Sequence, residues 1–399
     1  MKEVDFIGRY EKRGKGYRLK VYNGYDANHN QIVETKTWIP DSGMTEKQII
    51  KEVERQLVLF EEEVKNGPYV SANIKFETMA EKFLEQAALE GNLKQLTIER
   101  LKDCRERTYK AIGHLRLDRI TTAHIQNFIN SLAQDGANKQ TGKKLSTKTQ
   151  KLYLGFISDV YKFAARNNLF LNNPCKGVNT IKVPKKEINV YNVEEMQNFL
   201  NLLCEKAPLK YKVFFIIAVF TSFRKAEIMG LEWEDIDFEN NVITIGRISV
   251  YSKEQGTITG TPKTKKGFRS LKVPDVVINA ILELKEEQDK MKSKLGDRWN
   301  DTGRLFIAWN GNPMGPDTPR HWLEKFCEQE KIRHVNVHSF RHFNASALIE
   351  YGCNVNQVST SLGHAQTSTT LNIYTHCFDK VLAKSSEALS DSLNLNVGG

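Results

Sequence analysis

Near its start the chain alternates as a strand does: Tyr17, Leu19 and Val21 face one way, and Arg18, Lys20 and Tyr22 the other. The turn-rich stretch Asn23 to Asn30 leads to a second such run, Ile32 to Trp38, which ends at Pro40. Thr45 with Gln48 three residues later is a capping-box start for a helix that runs through Val58, Leu59 and Val64 and stops at Asn66-Gly67-Pro68. From Lys75 to about Gly177 the period becomes helical, over Phe76 to Ala88, Ile98 to Ile112, Thr122 to Ala133 and Ser146 to Asn167. Asn172-Asn173-Pro174 closes the last of these helices, and Lys182-Val183-Pro184-Lys185-Lys186 reads as an extended basic linker. Beyond about Val190 helices mix with strands, expected over Val242 to Ile248 and Arg269 to Val273. The pattern predicts a multidomain chain: a small α+β N-terminal module over residues 1–67, an all-α domain over 72–178, and a mixed, mainly-α domain over 188–399. The last ends in a tail helix carrying Phe378, Val381, Leu382 and Leu389.

Length agrees, since 399 residues exceed one ordinary domain and suggest two or three. With 40% hydrophobic and 27% charged residues the composition is that of a globular protein. An excess of 58 Lys+Arg over 48 Asp+Glu, a net charge of +10, favours a polyanionic partner, with nucleic acid the leading candidate beside a merely basic protein. Six cysteines without a CxxC pair read as reduced thiols. The longest apolar run, Val213 to Phe220, is far below the roughly 18 residues of a membrane span. The N-terminus has no apolar signal region, so a cytoplasmic protein is expected.

Candidate chemistry gathers late in the chain. In HSFRH, His338 and Arg341 are spaced i, i+3 and share one helix face; His364 follows Leu362-Gly363, a helix end; Tyr374 comes ten residues later. Upstream, TSFRKAEIMGLEW supplies Arg224 and Glu227, and TPKTKKGFR supplies Lys263. Taken singly, HxxR is an ordinary helix end, His364 a structural histidine, Tyr374 a core aromatic, and Glu227 more a support than a participant. Jointly they supply what a metal-free phosphodiester transfer needs: a nucleophile, cations for the non-bridging oxygens and an acid for the departing oxygen. A tyrosine at pH 7 is ionised only at a cost of roughly 4 kcal/mol, which neighbouring positive charge offsets. His338 and His342 are spaced i, i+4 as in a zinc motif, but Arg341 lies between them and no glutamate follows His338, so no metal is expected. There is no Walker-type loop either, so no cofactor or ATP is expected.

Three basic clusters are candidate DNA contacts. Lys263, Lys265, Lys266, Arg269 and Lys272 lie without an intervening acid; Lys143, Lys144, Lys148 and Lys151 surround a helix start, where the dipole also favours phosphate; Arg13, Lys15, Arg18 and Lys20 lie on and beside the first alternating strand. Each can equally be a solvated face.

In this order and spacing the motifs resemble the tyrosine recombinases: TSFRKAEIMGLEWEDID their first box, TPKTKKGFRSLKVP the hairpin with their catalytic lysine, and HSFRH with LGHA and Tyr374 their second box. The resemblance spans roughly residues 70 to 390 and is closest to integrases of temperate phages and conjugative transposons. It implies the tyrosine recombinase fold, with a three-stranded sheet plus helix as an arm-binding module, a helical core-binding domain and a catalytic domain. It also implies roles: Arg224 and Arg341 clamp the scissile phosphate, His364 hydrogen-bonds it, Lys263 protonates the leaving 5′ oxygen, His338 handles the tyrosine proton or orients the phosphate, and Tyr374 becomes joined to the 3′ phosphate. Implied partners are double-stranded attachment sites and a homo-tetramer on DNA whose tail helix docks on a neighbour, with an excision factor or host DNA-bending protein left open, in the bacterial cytosol at the nucleoid. A Xer-type resolvase and a silent DNA-binding protein of the same fold are the alternatives. One departure is Ser222, where the family usually has glycine; a small local backbone adjustment is expected there.

Overall fold

Alternation near the N-terminus becomes an antiparallel sheet of strands β1 (Gly8–Arg13), β2 (Gly16–Tyr25) and β3 (Gln31–Trp38), in the order β1-β2-β3. The molecule is seen as a computed structural model that describes residues 8–25, 31–66, 74–167, 169, 172–180, 189–262 and 265–393. Tyr17, Leu19 and Val21 are buried against Val53, Phe60 and Val64 of helix α1 (Glu46–Asn66). At the start of α1 only half of the expected box forms: Thr45 N and Oγ1 both donate to Gln48 Oε1 at 2.9 Å, while Gln48 N turns to Thr45 O instead of the hydroxyl.

The chain divides into two compact units, residues 1–184 and 185–399. In the first, a second apolar core, separate from that of the sheet, joins helices α2 (Phe76–Glu90), α3 (Gln95–Asp103), α4 (Arg105–Thr108), α5 (Thr122–Leu132) and α6 (Thr147–Arg166). The single helix expected over Ile98 to Ile112 is broken into α3, α4 and a π-helical turn at Tyr109–Gly113. At the break Thr108 Oγ1 donates to Cys104 O at 2.7 Å, a side-chain bond that competes with the regular ladder.

The second unit is built around α8 (Leu209–Phe220), whose residues Val213 to Val219 are all buried. A helix apolar on every side has to be covered on every side. It packs with α7 (Val193–Lys206), the short α9 (Lys225–Ile228), α10 (Asp275–Leu295), α11 (Thr318–Gln329) and α12 (Val337–Glu350) in one core. The expected strand Val242 to Ile248 is two strands in different sheets. β5 (Val242–Ile245) lies between β4 (Ile236–Asp237) and β8 (Arg269–Lys272), whereas β6 (Ile248–Ser252) pairs with β7 (Gly256–Gly260) in a two-stranded sheet. The break falls beside Arg247, whose guanidinium pairs with Glu232, Glu234 and Asp235. A smaller core ties α12 to α13 (Val355–Leu362) and α14 (Thr367–Ser392) through Ala345, Ile349, Val358, Leu362, Tyr374 and Cys377. Phe378 and Val381 also pack on it, so the tail folds back in cis there, while Leu382 and Leu389 are exposed. Among the described residues no helix is long and apolar enough to cross a membrane.

Candidate active site

At the end of α8, Thr221 Oγ1 returns to Ile217 O at 2.7 Å and the chain turns through the buried Ser222 and Phe223 to Arg224. Arg224 precedes α9, and Glu227, one turn on, accepts from the Arg224 backbone N–H and from its Nη1, both at 2.8 Å. The second carboxylate oxygen of Glu227 also accepts from Arg269 Nη2 at 2.8 Å. Burial pushes the Glu227 carboxyl up, but the bonds and charges of Arg269 and Arg224 outweigh it and hold the group below its ordinary value. Glu227 is thus a buried carboxylate that orients one half-exposed arginine against a fully engaged one.

Arg269 is not free to grip DNA as its place in a basic run suggests. Its remaining donors go to Ser361 O at 2.9 Å and Gly267 O at 3.2 Å, and its guanidinium lies over the Phe223 ring at 5.0 Å. It fastens the hairpin to the α13 end. There Gly363 caps α13 at φ 62°, and a Cβ on it would meet Lys266 O at 2.9 Å, so glycine is required both for the left-handed backbone and for the close approach. Lys266 Nζ reaches Ala365 O at 3.1 Å, so this lysine too leans on the loop that carries His364. Lys263 and the side chain of Lys265 lie outside the described residues.

Helix α12 starts at an Asn336 cap, whose Oδ1 accepts from Ser339 N at 3.1 Å. Its first turns present His338, Arg341 and His342. Arg341 is 2% exposed and donates to two main-chain carbonyls, those of Ser222 and, at 2.6 Å, Leu362. Among the described residues no carboxylate lies within ion-pair distance of it. Burial and then the nearby Arg224 push Arg341 down to about 9, and the charge of Glu227 opposes them only in part.

The imidazoles face the same cations. His338 still reaches solvent, yet the protein crowded about it, then His342, Arg341, Arg224 and His364, push it down to about 4. His364 is pushed to about 4 by burial, then by Arg341 and Arg224, and its Nδ1 meets the buried Thr370 Oγ1 at 2.8 Å. Tyr374 is 1% exposed, and its hydroxyl and His342 Nδ1 share a hydrogen bond of 2.6 Å. Burial pushes the phenol up and Arg341 opposes this only in part, so Tyr374 is un-ionised in the free protein. It stands at a break in α14, with φ −113° and ψ 15°.

The structure therefore brings Arg224, His338, Arg341, His364 and Tyr374 together, with Glu227 behind them. Three participants were not legible as such: His342, the second histidine of HSFRH; Thr370, one turn before Tyr374; and Arg269 as framework. Ser222, the departure from glycine, has its hydroxyl fully used, donating to Asn344 Oδ1 at 2.7 Å and accepting from Ser361 Oγ at 2.9 Å. Lys225, beside Arg224, is tied to Asp317 instead.

Residues 189–380 match the profile of the phage integrase family. They are a phage integrase family domain. Among curated relatives of the chain are the ICEBs1 integrase of Bacillus subtilis (strain 168), 25% identical over 69% of this chain and 72% of the relative, and a XerC-like tyrosine recombinase of Caldanaerobacter subterraneus, 28% identical over the same shares. In fold the chain is similar to the Tn1549 transposon integrase solved in complex with transposon right end DNA, with a TM-score of 0.62 and 20% identity over 78% of this chain and 99% of that one. The relatives named here are thus integrases and tyrosine recombinases, matched over about two thirds of this chain. All five converging residues lie inside the integrase domain.

Away from that domain, Lys143, Lys144, Lys148 and Lys151 are exposed about the start of α6, where Ser146 Oγ accepts from Thr149 N at 3.2 Å. Arg13 and Lys20 both pair with Glu11, Lys15 is exposed in the turn between β1 and β2, and Arg18 is half-buried.

Proposed function

We propose that this chain is a site-specific DNA recombinase that cuts and rejoins strands through a 3′-phosphotyrosine and a Holliday junction, without metal or ATP. The observation that carries the reading is Arg341: a buried guanidinium beside Arg224, with Glu227 near but bonded to Arg224 and Arg269 instead, leaves an excess of positive charge that suits a phosphate. Arg224 and Arg341 hold the non-bridging oxygens, with His364 and His338 at the same phosphate. The Tyr374 oxygen attacks phosphorus, the bond to the 5′ oxygen breaks, and Lys263 protonates that oxygen. The bond energy stays in the protein–DNA linkage. Removing one such donor costs about 3–4 kcal/mol of transition-state stabilisation.

The N-terminal sheet serves in this reading as the arm-site module, since Arg18 and Lys20 lie on the face turned away from α1. The lysines at the α6 start hold core DNA. Leu382 and Leu389, exposed on α14, are what a neighbouring protomer in a tetramer would cover. The test is a nicked suicide substrate carrying the attachment site of the mobile element, resolved by denaturing electrophoresis. A covalent adduct that vanishes in Tyr374→Phe supports the reading. Absence of adduct from the unmodified protein, or equal adduct from both, refutes it.

A further inference from the structure

The nucleophile meets one ring nitrogen, and it does not belong to the histidine that spacing put forward. We infer that His342 is the base that takes the Tyr374 proton during cleavage and returns it during rejoining, an inference that rests on the strand-transfer reading above. Tyr374 Oη and His342 Nδ1 are 2.6 Å apart, within the reach that proton transfer needs. The other two imidazoles are otherwise placed: His364 Nδ1 is taken by Thr370, and the His338 ring stands edge-on to His342, centroids 4.8 Å apart at 89°. Arg224 and Arg341 cannot serve, because a guanidinium carries donors and no acceptor.

The position is built for the task. His342 follows Arg341 in α12, so the base and the phosphate anchor are held by one helix turn. Burial, then the charge of Arg341, hold His342 below the ordinary imidazole value, so the ring is neutral and free to accept at pH 7. In the forward step the phenolic O–H breaks, its proton goes to Nδ1, the oxygen bonds phosphorus, and the 5′ oxygen leaves with a proton from the acid. In the reverse step the 5′ hydroxyl loses its proton to that conjugate base and attacks, and the departing Tyr374 oxygen recovers its proton from the His342 imidazolium.

Two suicide substrates separate this role from the acid's: one with the natural 5′ oxygen, one with sulfur at that bridging position, whose thiolate leaves without protonation. His342→Gln and His342→Asn should each cut the cleavage rate at pH 7 by about 100-fold on both substrates. Asparagine keeps a hydrogen-bonding group but cannot take a proton, so near-normal cleavage by His342→Asn would reduce the residue to positioning and overturn the inference. Rescue of either variant by the sulfur substrate would place His342 on the leaving-group side and also overturn it. The unmodified protein gives a check independent of folding: on the sulfur substrate its rate should fall with acid as the base takes up a proton, and a flat profile contradicts a base at His342. A Tyr374-dependent adduct in the unmodified protein with unaffected variants defeats this inference alone; no such adduct defeats it together with the recombinase reading.

Discussion

Glu227 holds two arginines at once, its Oε1 accepting from Arg224 Nη1 and its Oε2 from Arg269 Nη2, each at 2.8 Å. The carboxylate and Arg269 are both buried, so neither charge can turn to water when the other is lost. Glu227→Gln should therefore destabilise the protein by about 3–5 kcal/mol, read as a fall in urea midpoint at unchanged slope. Arg269→Ala should cost a similar amount while leaving the salt dependence of DNA affinity as it is. A slope lowered by about one unit would return Arg269 to the DNA surface.

Ser222, where the resemblance led to an expectation of glycine, links α12 to α13. Its hydroxyl spans Asn344 and Ser361, and its carbonyl receives Arg341. Ser222→Gly should cost about 1 kcal/mol of stability, since two half-buried partners lose their bond. Paired with Asn344→Ala, it should show a coupling of at least about 0.5 kcal/mol, and strict additivity would mean that the hydroxyl chain is idle.

Thr370 faces His364 from the helix of the nucleophile. With its hydroxyl on Nδ1, the other ring nitrogen is left for phosphate. Thr370→Val keeps shape and removes the bond, so cleavage should slow about tenfold, near 1.4 kcal/mol, with unchanged DNA affinity and a stability loss of only about 1 kcal/mol. A full-speed variant would show that the imidazole needs no such partner.

His364 is pushed to about 4 in the free protein, below the unfolded-state value near 6.5; His338 is pushed the same way, but it is exposed to solvent and contributes less. As pH falls from 6.5 towards 4, the unfolded chain takes up protons that the folded one refuses. Stability should be full above that window, decline across it and level off below it. Urea titrations at a series of pH values check this, and His364→Ala should flatten part of the decline. A bound phosphate acts oppositely, favouring imidazolium, so DNA affinity should strengthen as pH falls through the bound-state values.

The legible part of the site was that in which identity and local periodicity carry the chemistry. Arg341 is one helix turn from His338, and His364 follows a helix end that only glycine closes, so residue type and spacing place both. Illegible were contacts between distant segments. His342 meets Tyr374 across 32 positions, and nothing within HSFRH distinguishes its two histidines by role. Arg269 looks like the lysines around it until Glu227, 42 positions away, claims it. In the fold, the same limit hid the break at Arg247, whose carboxylate partners precede it by more than ten residues.

The backbone break at Tyr374 makes α14 two rods joined at the reactive residue. Cys377, Phe378 and Val381 clamp the second rod just past the bend, so the phenol is braced from both sides while only the far end, with Leu382 and Leu389, stands clear.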